Sequence, residues 1–195
     1  KEFINYINYG GFPEAVFSKD IRENPERFIR QDIIDKVLLR DLPSLYGIAD
    51  IQDLNRFFSY LCYQTGNEVS YKSLEKKSDI SANTVKKYIE YLESAFLIRV
   101  IHRVDETGKT FKRANSIKIY LTNPAMYAAL YGIVSSEESV ILGNLVETAL
   151  FSQFGHYTHW LSNIYYARVK NRDKNDREVD MVYLDQRFKI KWCLE

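Results

Sequence analysis

Three carboxylates near the C-terminal end of the chain have a type and a spacing that could support chemistry. Glu147 falls within a helical pattern, Asp180 lies in an apolar strand-like run, and Glu195 follows Trp192-Cys193-Leu194. A carboxylate inside an apolar strand is costly unless it is paired, protonated or bound to a metal. Because Mg²⁺ prefers carboxylate oxygens, these acids are candidate catalytic residues, with Asp180 and Glu195 as candidate metal ligands.

A plainer interpretation of the same acids remains open. Acidic residues at strand ends often reach solvent or pair with nearby cations, and three such cations lie close in sequence. These are Arg168, Lys170 and Arg177. The spacing alone favours this plainer interpretation over a metal site.

The elements that must position the acids are a helix and three strands. Ser135 and Glu138 fit a capping box that opens a helix, which Gly155 ends after Phe154. Strand-like runs follow over residues 164–169, 178–184 and 188–194.

Upstream of the acids, the chain predicts a helix, a tight corner, a second helix and a β-hairpin. The first helices cover residues 51–63 and 68–77, and Ser81 caps a helix that runs to Phe96. In that helix Val85, Ile89, Leu92 and Phe96 recur at helical spacing and are expected to share a buried face. Strands over 97–104 and 116–121 complete the order of a winged helix.

Positive charge is concentrated in this unit. From Val69 to Leu121 there are eleven basic and six acidic residues, a net of +5, whereas the whole chain carries +1. A basic module in a nearly neutral protein indicates a localised phosphate contact. The alternative is a solvated surface used for protein contacts.

If the partner is DNA, we expect contacts from the second helix and from the hairpin loop. The candidates are Asn83, Lys86 and Lys87 on the helix, and Lys109, Lys112 and Arg113 in the loop.

Composition bounds the other functions. Two cysteines give no disulfide framework, and no apolar run reaches the length of a membrane helix, so we expect a cytoplasmic protein with no membrane partner. The chain lacks a phosphate-binding glycine loop, and no cofactor is expected within it. It begins without Met and ends within a strand pattern, which indicates a fragment of a longer protein.

The N-terminal fifty residues predict helices separated by a sharp corner. Gly10-Gly11-Phe12-Pro13 provides the corner, since glycine permits a positive φ and proline fixes the next turn. Asn24-Pro25 predicts the start of a long helix that ends before Pro43.

Several short motifs, in order, resemble the C-terminal region of bacterial and archaeal AAA-type ATPases that carry a domain of unknown function. The motifs are Gly10-Gly11-Phe12-Pro13-Glu14-Ala15, Leu39-Arg40-Asp41-Leu42-Pro43, Val69-Ser70-Tyr71-Lys72-Ser73-Leu74, Thr84-Val85-Lys86-Lys87-Tyr88-Ile89, Lys118-Ile119-Tyr120-Leu121-Thr122-Asn123-Pro124, Leu145-Val146-Glu147-Thr148-Ala149, Tyr166-Ala167-Arg168 and Arg177-Glu178-Val179-Asp180-Met181-Val182.

The resemblance implies an ATPase core upstream of Lys1, so ATP and Mg²⁺ are expected cofactors of the full-length protein. The winged helix is expected to contact DNA or to act as a regulatory hinge. The last domain resembles a PD-(D/E)XK nuclease, in which Glu147, Asp180 and Glu195 fall on the acidic positions. That family places a lysine two residues after the last acid, which here lies beyond the end of the chain, and Lys191 precedes the acid.

We therefore expect an α+β chain with three parts: a helical lid or linker over residues 1–50, a winged-helix domain over 51–123, and a truncated, restriction-endonuclease-like α/β domain over 124–195. The leading hypothesis is the DNA-binding and nuclease-like effector region of an ATP-binding protein. One alternative is a non-catalytic protein-interaction or oligomerisation module of the same ATPase, and another is a metal-dependent nuclease once the lysine is restored. Whether the chain is an enzyme is left open, and DNA and further copies of the ATPase are its candidate partners.

Overall fold

A six-stranded sheet runs through the protein, and helices from both halves of the chain pack against it. The computed structural model describes residues 2–24, 26–105, 107–110, 115–137, 139–155, 162–170 and 176–195. The strands lie in the order β1-β3-β2-β4-β5-β6, and all neighbours are antiparallel except β2 and β4, which are parallel. The strands are β1 Glu68–Ser70, β2 Ile98–Val104, β3 Ser116–Leu121, β4 Ile164–Lys170, β5 Asp176–Leu184 and β6 Ile190–Leu194. This confirms the predicted α+β class.

Helices precede the first strand in sequence and also connect the strands of the sheet. Among the described residues the α-helices are α1 Glu2–Tyr9, α2 Pro13–Phe17, α3 Lys19–Glu23, α4 Leu42–Tyr46, α5 Ile51–Tyr63, α6 Tyr71–Ser78, α7 Ala82–Ser94, α8 Ala125–Tyr131 and α9 Ser139–Phe154. In the described part of the chain, no helix has both the length and the apolar character needed to cross a bilayer.

The predicted long helix after Asn24 differs from the observed structure at its end. Asn24 is the C-cap of α3, with its backbone N–H bonded to the Asp20 carbonyl. Pro25 lies outside the described residues, and helical structure is present from Glu26. The chain then adopts π-helical hydrogen bonding over Arg27–Asp35 and Val37–Asp41, and it continues through Pro43 into α4. Pro43 lies in the first turn of α4, directly after the π-helical segment that ends at Asp41.

The glycine corner after α1 is confirmed, and it packs against the loop that follows β3. Gly11 has a φ of +83°, and a Cβ atom there would lie 2.2 Å from Nδ2 of Asn123. Asn123 itself is fixed, since its Oδ1 accepts a hydrogen bond from the Ala125 backbone. Glycine is therefore required by both the backbone angle and the close approach.

The helix-corner-helix-hairpin order around α7 matches the sequence prediction closely. Ser81 caps α7 with its side chain accepting from the Thr84 backbone, and the buried face of α7 consists of Val85, Tyr88, Ile89 and Leu92. Phe96 was predicted on that face, but the helix ends at Ser94 and Phe96 is 65% exposed in a left-handed conformation. β1 pairs with β3, so the hairpin β2–β3 gains a third strand from the segment between α5 and α6.

One hydrophobic core joins the three predicted parts. It includes Ile7 and Leu38 from the N-terminal helices, Phe57 and Ile89 from the central unit, and Leu145 from α9. The sheet is also continuous across position 123, because β2 of the central unit pairs with β4 of the C-terminal unit. The division at residues 50 and 123 stays a prediction.

Candidate functional site

A buried lysine on β3 lies at the centre of three carboxylates. The Lys118 side chain is 2% exposed, and its Nζ is 3.1 Å from Glu147 Oε1, 2.6 Å from Glu178 Oε1 and 2.8 Å from Asp180 Oδ1. The three acids are 18–28% exposed, so the cluster opens to solvent on the acid side. We call these four residues the lysine cluster.

The alternation of β3 places two functional side chains on the same face of the sheet. Lys118 and Tyr120 are two residues apart, so both point toward α9. The Tyr120 hydroxyl donates a hydrogen bond to Glu147 Oε1, and its ring stacks on Phe151 at 4.6 Å between centroids. Because Phe151 lies one helical turn beyond Glu147, a single face of α9 both covers the strand and supplies the acid.

An irregularity in β5 brings the other two acids to this face. Between the pairs Tyr165–Val182 and Ala167–Val179, β4 advances by two residues and β5 by three. One extra residue in a strand reverses the alternation that follows it. Glu178 and Asp180 therefore reach Lys118 from the same side as Met181, which packs with Tyr120 and Phe151.

A second cation extends the cluster across the sheet. Arg168 Nη2 donates to Glu178 Oε2 at 3.2 Å, and Arg168 Nη1 lies 3.8 Å from Glu68 Oε2 on β1. Arg103 on β2 donates to the Arg168 carbonyl at 3.0 Å. The network therefore links β1, β2, β4 and β5 through charged side chains.

Burial and charge set the protonation of the cluster. Burial of Lys118 acts to lower the pKa of its ammonium, but hydrogen bonds to Asp180 and Glu178 and the charge of Glu147 outweigh it and raise the pKa. Burial raises the pKa of Glu147, although the Tyr120 hydroxyl and Lys118 oppose this. Burial and the negative charge of Glu147 raise the pKa of Tyr120, which stays a neutral donor. Lys118 is therefore charged at neutral pH.

The ammonium of Lys118 occupies the space between the acids that a divalent cation would need. Within the residues that the structure describes, no three His, Cys, Asp or Glu side chains are arranged to hold a metal ion. Glu147, Glu178 and Asp180 therefore do not enclose Mg²⁺ together, because one oxygen of each is bound by the Lys118 ammonium.

Two of the three predicted catalytic acids come together and the third does not join them. Glu147 and Asp180 share Lys118, while Glu195 is exposed at the end of the chain. β6 pairs Leu194 with Met181, so one further step of that register would set Glu195 opposite Asp180. The predicted metal pair of Asp180 and Glu195 stays a prediction.

The predicted DNA-contacting residues lie on the surface where the structure describes them. Asn83, Lys86 and Lys87 are exposed on α7, and Lys109 is exposed in the hairpin loop. Lys86 Nζ lies 5.9 Å from the centroid of the Tyr71 ring, which positions it beside α6. Lys112 and Arg113 lie outside the described residues.

Sequence reasoning missed the two residues that complete the cluster, Lys118 and Glu178. Lys118 was counted with the surface charge of the basic module, whereas it is buried. A signal was present, because Lys118 lies between Ile117 and Ile119 and is the only charged residue of this strand. Arg168, a predicted partner of the three acids, instead pairs with Glu178, an acid outside that set, while Asp180 pairs with Lys118.

The fold and the site define the chain as an α+β protein with a lysine–carboxylate cluster on a six-stranded sheet. The model of a domain of unknown function, DUF8612, matches residues 1–137, and the chain belongs to this family.

Its relatives include an archaeal and a bacterial protein. Over its full length the chain is 26% identical to Uncharacterized protein MJ1544 of Methanocaldococcus jannaschii, of which it covers 43%. It is 27% identical over 121 residues to an uncharacterized protein of Haemophilus influenzae, an alignment that covers 60% of this chain and 30% of that protein. The chain thus spans less than half the length of both relatives, and no solved structure matches it. The predicted link to AAA-type ATPases stays a prediction.

Proposed function

We propose that this chain is the DNA-binding and nuclease-like effector region of a larger ATP-binding protein. The observation that carries the proposal is the two-sided character of α7, which buries Val85 and Ile89 and presents Asn83, Lys86 and Lys87 to solvent. α7 follows α6 and precedes a hairpin that pairs with β1, an order that supports a winged helix. In that fold the second helix of the corner is the natural element to enter a major groove.

The charge around α7 supports a phosphate contact. Lys72, Lys76 and Lys77 on α6 are exposed, as are Lys86 and Lys87 on α7. Lysines that neutralise phosphates release counterions, so binding of this kind weakens steeply as salt increases.

The first test replaces the two lysines of α7. Lys86→Ala combined with Lys87→Ala should weaken duplex DNA binding about tenfold and lower the salt slope by about 2, since each phosphate contact contributes about one unit. Fluorescence anisotropy titrations at several salt concentrations measure both quantities. Lys19→Ala combined with Lys36→Ala in the N-terminal helices is the matched control. Equal losses of DNA affinity in the two double variants, or an affinity that does not change with salt concentration, would contradict the proposal.

The lysine cluster supports a second candidate, a non-catalytic interaction module of the same ATPase. The Lys118 ammonium binds all three acids, which favours a structural role for the cluster over a role as a metal site. The nuclease-like proposal instead requires that Asp180 and Glu195 bind Mg²⁺ at the solvent-facing edge.

A cleavage assay separates the two candidates. The chain is incubated with supercoiled plasmid and Mg²⁺ or Mn²⁺, alone and with Asp180→Asn, a change that keeps the side-chain shape. Cleavage that disappears in Asp180→Asn supports the nuclease-like site. DNA binding without cleavage supports the non-catalytic module, and cleavage that survives Asp180→Asn removes the assignment of this residue.

A further inference from the structure

Two turns that follow different strands have the same pattern of hydrogen bonds from the backbone to an aspartate. The first turn, after β2, is described at residues 105 and 107–109, and the second, between β5 and β6, at residues 185–189. Asp105 Oδ1 accepts from the Thr107 and Lys109 backbones at 2.8 and 2.9 Å, and Asp185 Oδ1 accepts from the Arg187 and Lys189 backbones at 2.8 and 2.9 Å. The fourth residue of each turn has a positive φ.

The two turns pack against each other and form one tip, which we call the double turn. A Cβ atom on Gly108 would lie 3.1 Å from the Phe188 carbonyl oxygen and 3.2 Å from the Leu184 side chain. The first turn is therefore built from a glycine because the second turn lies against it. Gly108, the residue before Lys109, thus lies against Phe188, which Arg187 and Lys189 flank in the chain.

The fourth residue differs between the turns in a way that packing does not explain. The first turn has Gly108, with a φ of +82°, and the second has Phe188, with a φ of +58°. A left-handed conformation costs a non-glycine residue about 1–2 kcal/mol, and a bulky aromatic is unusual there. The Phe188 side chain is 59% exposed, so burial does not offset this cost. Strain kept without burial makes Phe188 a candidate for a function, and its basic neighbours distinguish it from Phe96, which has a similar backbone and exposure.

The residues around Phe188 favour a polyanion over a protein surface. Lys109, Arg187 and Lys189 are exposed at the double turn. Each of the two aspartates, in contrast, has its Oδ1 bound by backbone N–H groups, which lower the pKa of Asp105 and of Asp185, and Asp185 Oδ2 lies 3.6 Å from Lys191 Nζ. A protein partner would have to desolvate the basic side chains, whereas phosphates would pair with them.

We propose that the double turn binds an unpaired stretch of nucleic acid, with Phe188 stacked on a base and Lys109, Arg187 and Lys189 at the phosphates. An exposed aromatic ring between cations matches the way single strands are bound without sequence preference. The proposal rests on the DNA-binding function proposed above and deepens it, and it shares only Lys109 with the residues predicted to contact DNA. α7 contacts duplex, and the double turn contacts a single-stranded end.

The test compares a blunt duplex with the same duplex carrying a single-stranded thymidine tail, by anisotropy titration of the whole chain. The chain should bind the tailed duplex more tightly. Phe188→Leu should lower the affinity for the tailed duplex about tenfold, near the low end of what base–aromatic stacking contributes, and leave the blunt duplex unchanged. Phe188→Tyr should retain tight binding because it keeps the aromatic face.

Phe96 provides a matched control, since it is also an exposed phenylalanine with a positive φ. It lies at the opposite end of β2, and its ring is covered by Arg99 at 4.8 Å. Phe96→Leu should leave both affinities unchanged. Phe188→Asn, which suits the left-handed backbone, should fold at least as stably as the unmodified chain and yet lose the tail preference.

The outcomes separate this inference from the function on which it rests. If blunt-duplex binding depends on Lys86 and Lys87 but Phe188→Leu does not change the preference for the tailed duplex, only the proposal for the double turn is overturned. Tail binding that depends on Phe188 without any blunt-duplex binding overturns the role of α7 alone. No binding to either DNA overturns both.

Discussion

Lys118 has the most demanding environment of any side chain that the structure describes at the site. Its ammonium is removed from water and is stabilised by three carboxylates within 3.1 Å. A buried ion pair of this kind adds little net stability over an apolar replacement, but losing one member leaves uncompensated charge. The cluster is therefore more informative about the specificity of the fold than about its stability.

Replacing the lysine tests that energetic asymmetry. Lys118→Met should lower the free energy of unfolding by about 3–5 kcal/mol, because Glu147, Glu178 and Asp180 are left facing one another. Urea denaturation measures the change. Lys191→Met, at a 59% exposed lysine paired with Asp185, should change stability by less than about 1 kcal/mol. Adding Asp180→Asn to Lys118→Met should recover part of the lost stability. If Lys118→Met loses no more stability than the control Lys191→Met, the interpretation is contradicted.

At the scale of elements, the two halves of the sheet are joined by turns as well as by hydrogen bonds. β2 and β4 pair over only Arg103–Tyr166 and Val104–Ala167, and the hairpin loop then folds back to contact the turn between β5 and β6. Gly108 is the residue at which the hairpin loop meets this turn, and its lack of a side chain permits the close contact.

Substituting that glycine should cost more than an ordinary left-handed glycine. Gly108→Ala should destabilise the chain by about 2–4 kcal/mol, since the left-handed backbone and the contact with the Phe188 carbonyl both oppose a methyl group. Gly47→Ala, with a φ of +64° and open space around it, should cost only about 1–2 kcal/mol. Thermal or urea unfolding gives both values. Equal costs would show that the two turns do not constrain each other.

Most element boundaries could be predicted from the sequence, and most pairings could not. α5 and β3 match their predicted bounds, and α7 and β2 match within two residues, because apolar spacing and a capping serine are local signals. The parallel pairing of β2 with β4 and the extra residue in β5 depend on contacts between distant segments, which no local pattern encodes. The ion pairs of Lys118 were missed for the same reason, because the carboxylates that bind it come from α9 and β5.

Across the whole molecule, contacts between distant segments oppose the division of the chain into separable parts. The buried amide of Asn8 on α1 donates to the Val134 carbonyl at 2.9 Å and accepts from the Val134 N–H at 2.8 Å. Farther along, the Thr65 and Thr148 hydroxyls are 2.8 Å apart and join α9 to the end of α5. These bonds connect residues more than eighty positions apart.

A two-probe unfolding experiment tests whether the parts are independent. Both tryptophans, Trp160 and Trp192, lie in the C-terminal part, whereas most helical residues precede position 124. Tryptophan fluorescence and far-UV circular dichroism should therefore report coincident urea transitions if the shared core makes one cooperative unit. Separate midpoints would instead support an independently folded domain over residues 124–195.

The extra residue in β5 decides which face of the sheet carries the acids. If β5 kept its length but paired with β4 without the bulge, Glu178 and Asp180 would lie on the side lined by Val104 and Ala167, and Lys118 would keep only Glu147. Homologous chains that retain the lysine, both acids and this strand length are thus expected to retain the bulge. Structures of such homologues should show the same irregularity in the pairing of this strand.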